Sequence, residues 1–374
     1  MCFHVANPMD SAIHLKLTSW LEQEEIECAL LTAASSVDWA SGHETSIETG
    51  PNPFAGGPTV LLVEKTAATL LYPDCEIPDL SALGLKGLAY ASYTPDHTQS
   101  PPKKYRDALR ELIAGKSKLG VEFANLPGDL ATVLAHAKPI DGQIDLLRIV
   151  KTSGEISAIR TSLALCDLAQ AILPKLVQPG RSELAIWGDL RAALESKAGR
   201  RLPLLADFVS GPRTGNIGGP PTDRKIQAGE WLLADIVPRL GNYWGDICGV
   251  IPAGEPGPRY GELKPLADEA LDFAISLIKP GAIAGDIDRR TREFITGRGY
   301  TPYPHHTGHG IGVCYHEAPR IVAGDTTPLQ ENMVIALEPG VYFPGECGVR
   351  MEDVVLVAAT GAEIMTTHRR SSPL

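Results

Sequence analysis

Residues 230–251 read EWLLADIVPRLGNYWGDICGVI, and residues 333–357 read MVIALEPGVYFPGECGVRMEDVVLV. Each stretch is an apolar strand, a glycine-containing turn and a second apolar strand, the pattern of a β-hairpin. Each also sets an acid inside an apolar run, Asp235 in LLAD and Glu338 in VIALE. A turn centred between Leu240 and Gly241 places Asp235 directly opposite Asp246, and a turn centred on Gly345 places Glu338 opposite Glu352. Opposed residues bring their Cβ atoms to roughly 4.5–5.5 Å, where like charges destabilise a sheet. Burying such charges without partners is costly or neutralises them. An arginine such as Arg350 satisfies one acid, for example Asp235, and a shared proton in each pair leaves the repetition unexplained. Four acids arranged this way in two hairpins require a cation.

The hairpins sit in a repeated frame. A helix over 154–177 ends in Pro179-Gly180, and a second opens at Ser182 and stops near Gly199. Further on, a helix through Leu271–Ile278 ends in Pro280-Gly281, and another opens near Asp286 and stops near Gly297 or Gly299. Gly180 lies 55 residues before Asp235, and Gly281 lies 57 before Glu338. Structural duplication explains the matched spacing, although Pro-Gly after a helix is also common punctuation. Upstream, Val60–Val63, Leu70–Tyr72 and Leu119–Phe123 read as strands and Tyr105–Ala114 as a helix, an α/β alternation without a chemical motif. His14, His43, His97 and His136 are isolated there and read as ordinary surface or core residues. Thr152 and Glu155 have capping-box spacing at the start of the long helix. The expected domains are therefore 1–145 and 151–374.

Between the hairpins, residues 304–319 read PHHTGHGIGVCYHEAP and hold four of the ten histidines. His309 is flanked by glycines, which let backbone approach a site closely. The run lacks the Glu of a helical zinc-protease motif, and Gly308-x-Gly310-x-Gly312 lacks the spacing of a nucleotide loop. Asp235, Asp246, Glu338, Glu352 and His309 exceed the ligand set of one tetrahedral zinc. They suit two divalent ions ~3.5–4 Å apart, bridged by carboxylates. Oxygen-rich ligation favours manganese, with zinc, cobalt and iron as alternatives. Such a pair holds a bridging hydroxide and polarises a carbonyl, so amide hydrolysis is the expected chemistry.

The remaining composition narrows the partners. The chain has 374 residues, 44% hydrophobic and 21% charged, as in a globular protein. With 45 acidic against 34 basic residues its net charge is −11, so neither nucleic acid nor an anionic membrane is an expected partner. Seven scattered cysteines without a C-x-x-C pair indicate neither a disulfide framework nor a zinc knuckle. The first ten residues lack a signal-peptide pattern, and no run approaches the ~18 apolar residues of a membrane span. A cytoplasmic location is expected.

The LLAD run at Asp235 with Asp246, TGHGIG around His309, the pair His316-Glu317, ALEPGVY at Glu338 and VRMED at Glu352 form an ordered series. In order and spacing it resembles the metal-site motifs of the creatinase/prolidase/aminopeptidase P superfamily. The resemblance covers most of the chain. It implies an α+β architecture: a smaller α/β N-terminal domain, then a duplicated pita-bread catalytic domain with helices packed on a curved antiparallel sheet. It implies that Asp235, Asp246 and Glu352 hold one ion, and Asp246, His309, Glu338 and Glu352 the other. Glu338 would also move the proton of the bridging water, and His316 would stabilise the tetrahedral intermediate. His305 would face the substrate, with His306 as its rival, and Arg350 would order the metal site. The relatives also imply a homodimer.

Four positions depart from the family's peptidases. Val237 stands where they usually have glycine, and Ile247-Cys248 where they usually have Thr-Arg. Gly218 stands where they carry a substrate-contacting histidine. The expected function is a dinuclear hydrolase cleaving an Xaa-Pro dipeptide or related small amide. Gly218 and Cys248 favour a second reading, the same site acting on a non-peptide substrate as an ectoine-type amide hydrolase or dimethylsulfoniopropionate-type lyase. A third, non-catalytic pita-bread binding module, is disfavoured by the complete ligand set.

Overall fold

The computed structural model describes residues 11–45, 54–96, 98, 100–130 and 133–368; residues 1–10, with Cys2, and His97 lie outside them. The chain divides into two compact units between Arg148 and Ile149.

The first unit runs α1 (Ser11–Gln23), β1 (Cys28–Leu31), α2 (Ala34–Ser41), β2 (Val60–Glu64), β3 (Ala68–Pro73), α3 (Leu80–Leu83) and β4 (Lys86–Tyr90). It continues with α4 (Pro101–Ile113), β5 (Leu119–Val121), β6 (Lys138–Pro139) and α5 (Gln143–Arg148). The strands form one mixed sheet in the order β4-β3-β2-β1-β5-β6. CALL in β1 and VLLV in β2 are buried on both faces, which is why they are apolar throughout rather than alternating. Helix α4 begins at Pro101-Pro102, ahead of the expected Tyr105, because a proline in the first turn forfeits no helical hydrogen bond.

The second unit contains two similar halves. The first comprises α6 (Ser153–Leu176), α7 (Glu183–Ala198), β7 (Leu204–Ser210), β8 (Trp231–Leu240), β9 (Tyr243–Trp244) and β10 (Ile247–Pro252). The second begins with α8 (Pro258–Ser276), α9 (Ala284–Thr296), β11 (Gly308–Gly310), β12 (Glu317–Ile321) and β13 (Val334–Leu337). It ends with β14 (Gly340–Phe343), β15 (Cys347–Arg350), β16 (Asp353–Ala358) and β17 (Gly361–Ile364). Thr152 and Glu155 form the full capping box at the start of α6. The backbone repeats itself at both Pro-Gly turns. Gly180 N donates to Ile226 O and Ile226 N to Arg181 O, while Gly281 N donates to Leu329 O and Leu329 N to Ala282 O. Each half packs its helix pair on an antiparallel sheet, β10-β8-β7 in the first and β12-β11-β13-β16-β17 in the second.

Two apolar clusters fill this unit. One centres on Leu173, Leu190 and Ile236 of the first half; the other centres on Leu271, Ile287 and Ile335 of the second and also takes in Val209, Trp231, Leu233, Cys248 and Val250 of the first. Helix α6 is long and apolar enough to cross a bilayer by length and composition. Here it buries Ile159, Leu163, Cys166 and Ala169 and packs against α7 and β8, so its apolar face serves a protein core.

The hairpin registers differ from expectation in one case. Gly241 and Asn242 both have positive φ, 58° and 71°, forming a two-residue turn of the kind that joins twisted strands. The register therefore sets Asp235 opposite Cys248, not Asp246. The difference is two residues, and side chains alternate with period two, so Asp246 keeps its face. In the second hairpin Leu337 pairs with Asp353 and Gly340 with Arg350, so Glu338 and Glu352 fall opposite each other in the gap between two ladders of one register.

Candidate metal centre

The site lies where the sheets of the two halves meet. Asp235 projects from β8, and Asp246 lies between β9 and β10. His309 sits on β11, while Glu338 and Glu352 occupy the break that separates the β13–β16 ladder from the β14–β15 hairpin. The break frees their backbone to tie other strands: Glu352 N donates to Cys248 O at 3.0 Å and Glu338 N to Thr307 O at 2.8 Å. Glycine is needed at 308 and 310, because a Cβ there would lie 2.0 Å from Ala336 O and 2.2 Å from Ala318 O. Ligand atoms of Asp246, His309 and Glu352 all lie within 4.8 Å of one another, as do those of His306, His309 and His316.

Hydrogen bonds set the histidines. His309 Nδ1 is 3.0 Å from Gly310 O, which can only accept, so Nδ1 carries the proton. Its Nε2 lone pair then faces Glu338 Oε1 at 3.6 Å and Asp246 Oδ2 at 3.8 Å. His305 Nδ1 donates likewise to His306 O, and its Nε2 accepts from Tyr342 OH at 2.9 Å. His306 Nε2 is 2.7 Å from Glu338 Oε1, whereas His305 Nδ1 is 4.0 Å from Glu338 Oε2. His306 is thus the nearer of the two to the acids. His316 stands at the open end of the cluster, its ring 4.0 Å from that of His309 between centroids.

Arg320 lies 2.9 Å from His306 Nδ1, while Arg350 is the cation against the acids. Its Nη2 donates to Asp235 Oδ2 at 2.6 Å and to Asp207 Oδ2 at 2.9 Å, and its Nη1 to Ile217 O and Tyr342 OH. Its Nε is 3.7 Å from Glu338 Oε2. Burial pushes the Asp235 carboxyl up to about 6 despite this partner. Burial, then the neighbouring carboxylates, raise Asp246 and Glu352 well above the ordinary range. Burial also opposes ionisation of Glu338, but the His306 hydrogen bond together with His309 and Arg350 outweighs it and holds that carboxyl at about 2. Burial lowers His309 to about 3, and His305 and His316 to about 4, so all three rings are neutral near pH 7.

One arginine does not satisfy this cluster. Both carboxylate oxygens of Glu352 and Oδ1 of Asp235 are buried without a hydrogen-bond partner among the described residues. Orphaned buried oxygens beside a neutral imidazole lone pair are a donor set suited to hard divalent cations. The residues present fit such ions.

Two features escaped the sequence reading. Asp207, on β7, lies directly across the ladder from Asp235, and no short turn links the two strands to reveal it. Gly218 leaves no open space: a Cβ there would lie 2.0 Å from Asp207 Oδ2.

A family model described as Metallopeptidase family M24 matches residues 157–359, and one described as Creatinase/Prolidase N-terminal domain matches residues 14–161. The chain belongs to Metallopeptidase family M24. This M24 protein is therefore a hydrolase of the metallopeptidase type with a divalent-metal requirement, built on the duplicated pita-bread fold. It is 28% identical over 368 residues to an Xaa-Pro dipeptidase from Pyrococcus furiosus, covering 95% of this chain and 97% of the relative. Among solved structures it is similar to an Xaa-Pro dipeptidase from Bacillus anthracis, with a TM-score of 0.81 and 26% identity over 97% of this chain and 98% of that one. An X-Pro aminopeptidase from Thermotoga maritima shares the fold, with a TM-score of 0.82 at 23% identity over 95% of this chain and 97% of that one.

Proposed function

We propose that this M24 protein is a two-metal hydrolase that cleaves an Xaa-Pro dipeptide or a related small amide. The orphaned oxygens of Glu352 beside Asp246 and His309 carry this reading. Asp235, Asp246 and Glu352 would hold one ion, and Asp246, His309, Glu338 and Glu352 the other, with manganese favoured by the oxygen-rich set. Bound ions supply a Lewis acid for the scissile carbonyl and lower the pKa of water.

The protein's own residues do the rest. Glu338, held ionised, accepts a proton at a carboxylate oxygen and returns it to the leaving amine. Neutral His316 offers a ring N–H to the oxygen that gains charge in the transition state. His305, oriented through Tyr342 OH, lines the substrate side. Arg350 fixes Asp235 and lies beside Glu338, ordering both carboxylates. The cytoplasmic setting and the homodimer expected from the sequence belong to the same reading.

Metal analysis of the purified protein and an assay of the manganese-loaded form on an Xaa-Pro dipeptide panel, beside simple N-acyl amino acids, test this. Metal content near two ions per chain with Xaa-Pro turnover supports the proposal; a folded protein that takes up no metal overturns it. Turnover of other amides alone moves the assignment to the non-peptide class, which Gly218 and Cys248 favour.

A further inference from the structure

The segment 216–219 is built around Asp207. Ile217 has φ 72° and ψ −59°, and Gly218 N donates to Asn216 O at 2.8 Å, which closes a γ-turn with positive φ at its centre. That conformation is strained for a β-branched residue. It directs Ile217 O onto Arg350 Nη1 at 2.7 Å and brings Gly218 against the Asp207 carboxylate. Gly219 N then donates to Asp207 Oδ1 at 2.8 Å, while Arg350 holds Oδ2. The φ of Gly218 itself is outside the left-handed region, so a side chain there is opposed by the Asp207 carboxylate and not by the backbone.

The two members of the Arg350–Asp207 pair meet solvent very differently. The Arg350 side chain is 2% exposed and that of Asp207 37%. The guanidinium is behind the carboxylate, so a molecule entering beside Arg350 meets an anion. A carboxylate has about four lone-pair positions. Gly219 and Arg350 occupy two of them, which leaves acceptor capacity on the exposed side.

We propose that Asp207 and Gly218 are a matched pair that sets substrate specificity. Asp207 fills the space a side chain at 218 would take, and it selects substrates that bring an ammonium or guanidinium to this wall over those that bring a carboxylate. The inference rests on the hydrolase reading and deepens it by naming the substrate's charge.

The test uses the full-length, manganese-loaded protein and four probes on one scaffold: alanyl-proline with free termini, amide-capped, acetyl-capped and capped at both ends. The amide-capped probe carries only an ammonium, the acetyl-capped probe only a carboxylate. Binding by calorimetry and kcat/KM are both read. The wild type favours the ammonium-only probe, and Asp207→Asn, which keeps size and polarity, lowers that preference by about tenfold. An unchanged preference overturns the role of Asp207. A second readout is thermal unfolding. Gly218→Ala alone lowers Tm, and Asp207→Ala together with Gly218→Ala recovers part of the loss; strict additivity overturns the pairing. Absence of turnover with all four probes overturns the Xaa-Pro reading while the binding preference still decides Asp207. Absence of binding by all four overturns both.

Discussion

Arg350 Nη2 lies 2.6 Å from Asp235 Oδ2, with the guanidinium almost wholly out of solvent. Removing one partner of a buried pair costs about 3–5 kcal/mol, because the other charge is left uncompensated. Arg350→Met is therefore expected to lower the unfolding free energy of the metal-free protein by about that amount in urea titrations. Manganese should restore part of it by compensating Asp235 in another way.

In the proposed two-metal site Asp246 and Glu352 would each serve both ions. Asp246→Ala or Glu352→Ala should abolish metal uptake and activity together. Elemental analysis of each folded variant checks this, and a variant that keeps a full metal complement would remove its residue from the ligand set.

The pH dependence of the metal-free protein has a definite sign. Asp235 is pushed up to about 6, and Asp246 and Glu352 well above the ordinary range. Raised acids contribute stability below their unfolded values and lose it as pH rises through the folded ones. His309, lowered to about 3, and His305 and His316, lowered to about 4, act in the other direction. They contribute stability above the ordinary histidine value of 6.5 and lose it as pH falls toward their folded values. The metal-free Tm should thus fall as pH rises above about 6.5, where the histidines no longer oppose the loss, while manganese flattens that limb. Scanning fluorimetry with and without chelator measures it, and a flat metal-free curve contradicts the expectation.

His316 stands at the open end of the histidine cluster. Loss of a single oxyanion donor typically lowers kcat by about 10²–10³-fold. His316→Ala is expected to do so with KM little changed and metal content intact. A selective rise in KM would instead make the ring a binding group.

Lys151 Nζ is 3.0 Å from Glu317 Oε2, with side-chain exposures of 1% and 5%. Glu317 also accepts from Cys314 N, so this pair fixes the segment that carries His316. Lys151→Met should lower stability by about 3–5 kcal/mol. It should also slow turnover through His316 while leaving metal content unchanged, which denaturation and elemental analysis separate.

The sequence exposed most of the centre because its acids lie in short hairpins, where a turn fixes the partners. The turn at Gly345 has one clear centre, and the register of Glu338 against Glu352 followed from it. At Gly241-Asn242 asparagine shares the left-handed conformation with glycine, so the turn lies one residue later than glycine alone suggested. The pairing moved by two residues without turning a side chain over. Asp207 was invisible for a different reason: residues 211–230 separate β7 from β8, and no turn rule spans that length. Spacing could likewise mark the missing side chain at Gly218, but not the neighbour that fills its place. His305 and His306 are adjacent, and only folded geometry shows that the second lies closer to Glu338.

The hydrogen bond from Glu352 N to Cys248 O joins the two halves beneath the acids. Asp235 and Asp246 come from the first half; His309, Glu338 and Glu352 come from the second. Side chains of both halves share one apolar core, yet neither half contains a complete ligand set. A cation bound across this seam would add to that coupling, so unfolding would be more cooperative with metal than without it. A chain cut in the connection between β10 and α8 could then be reassembled by metal, with the duplicated halves acting as complementary fragments.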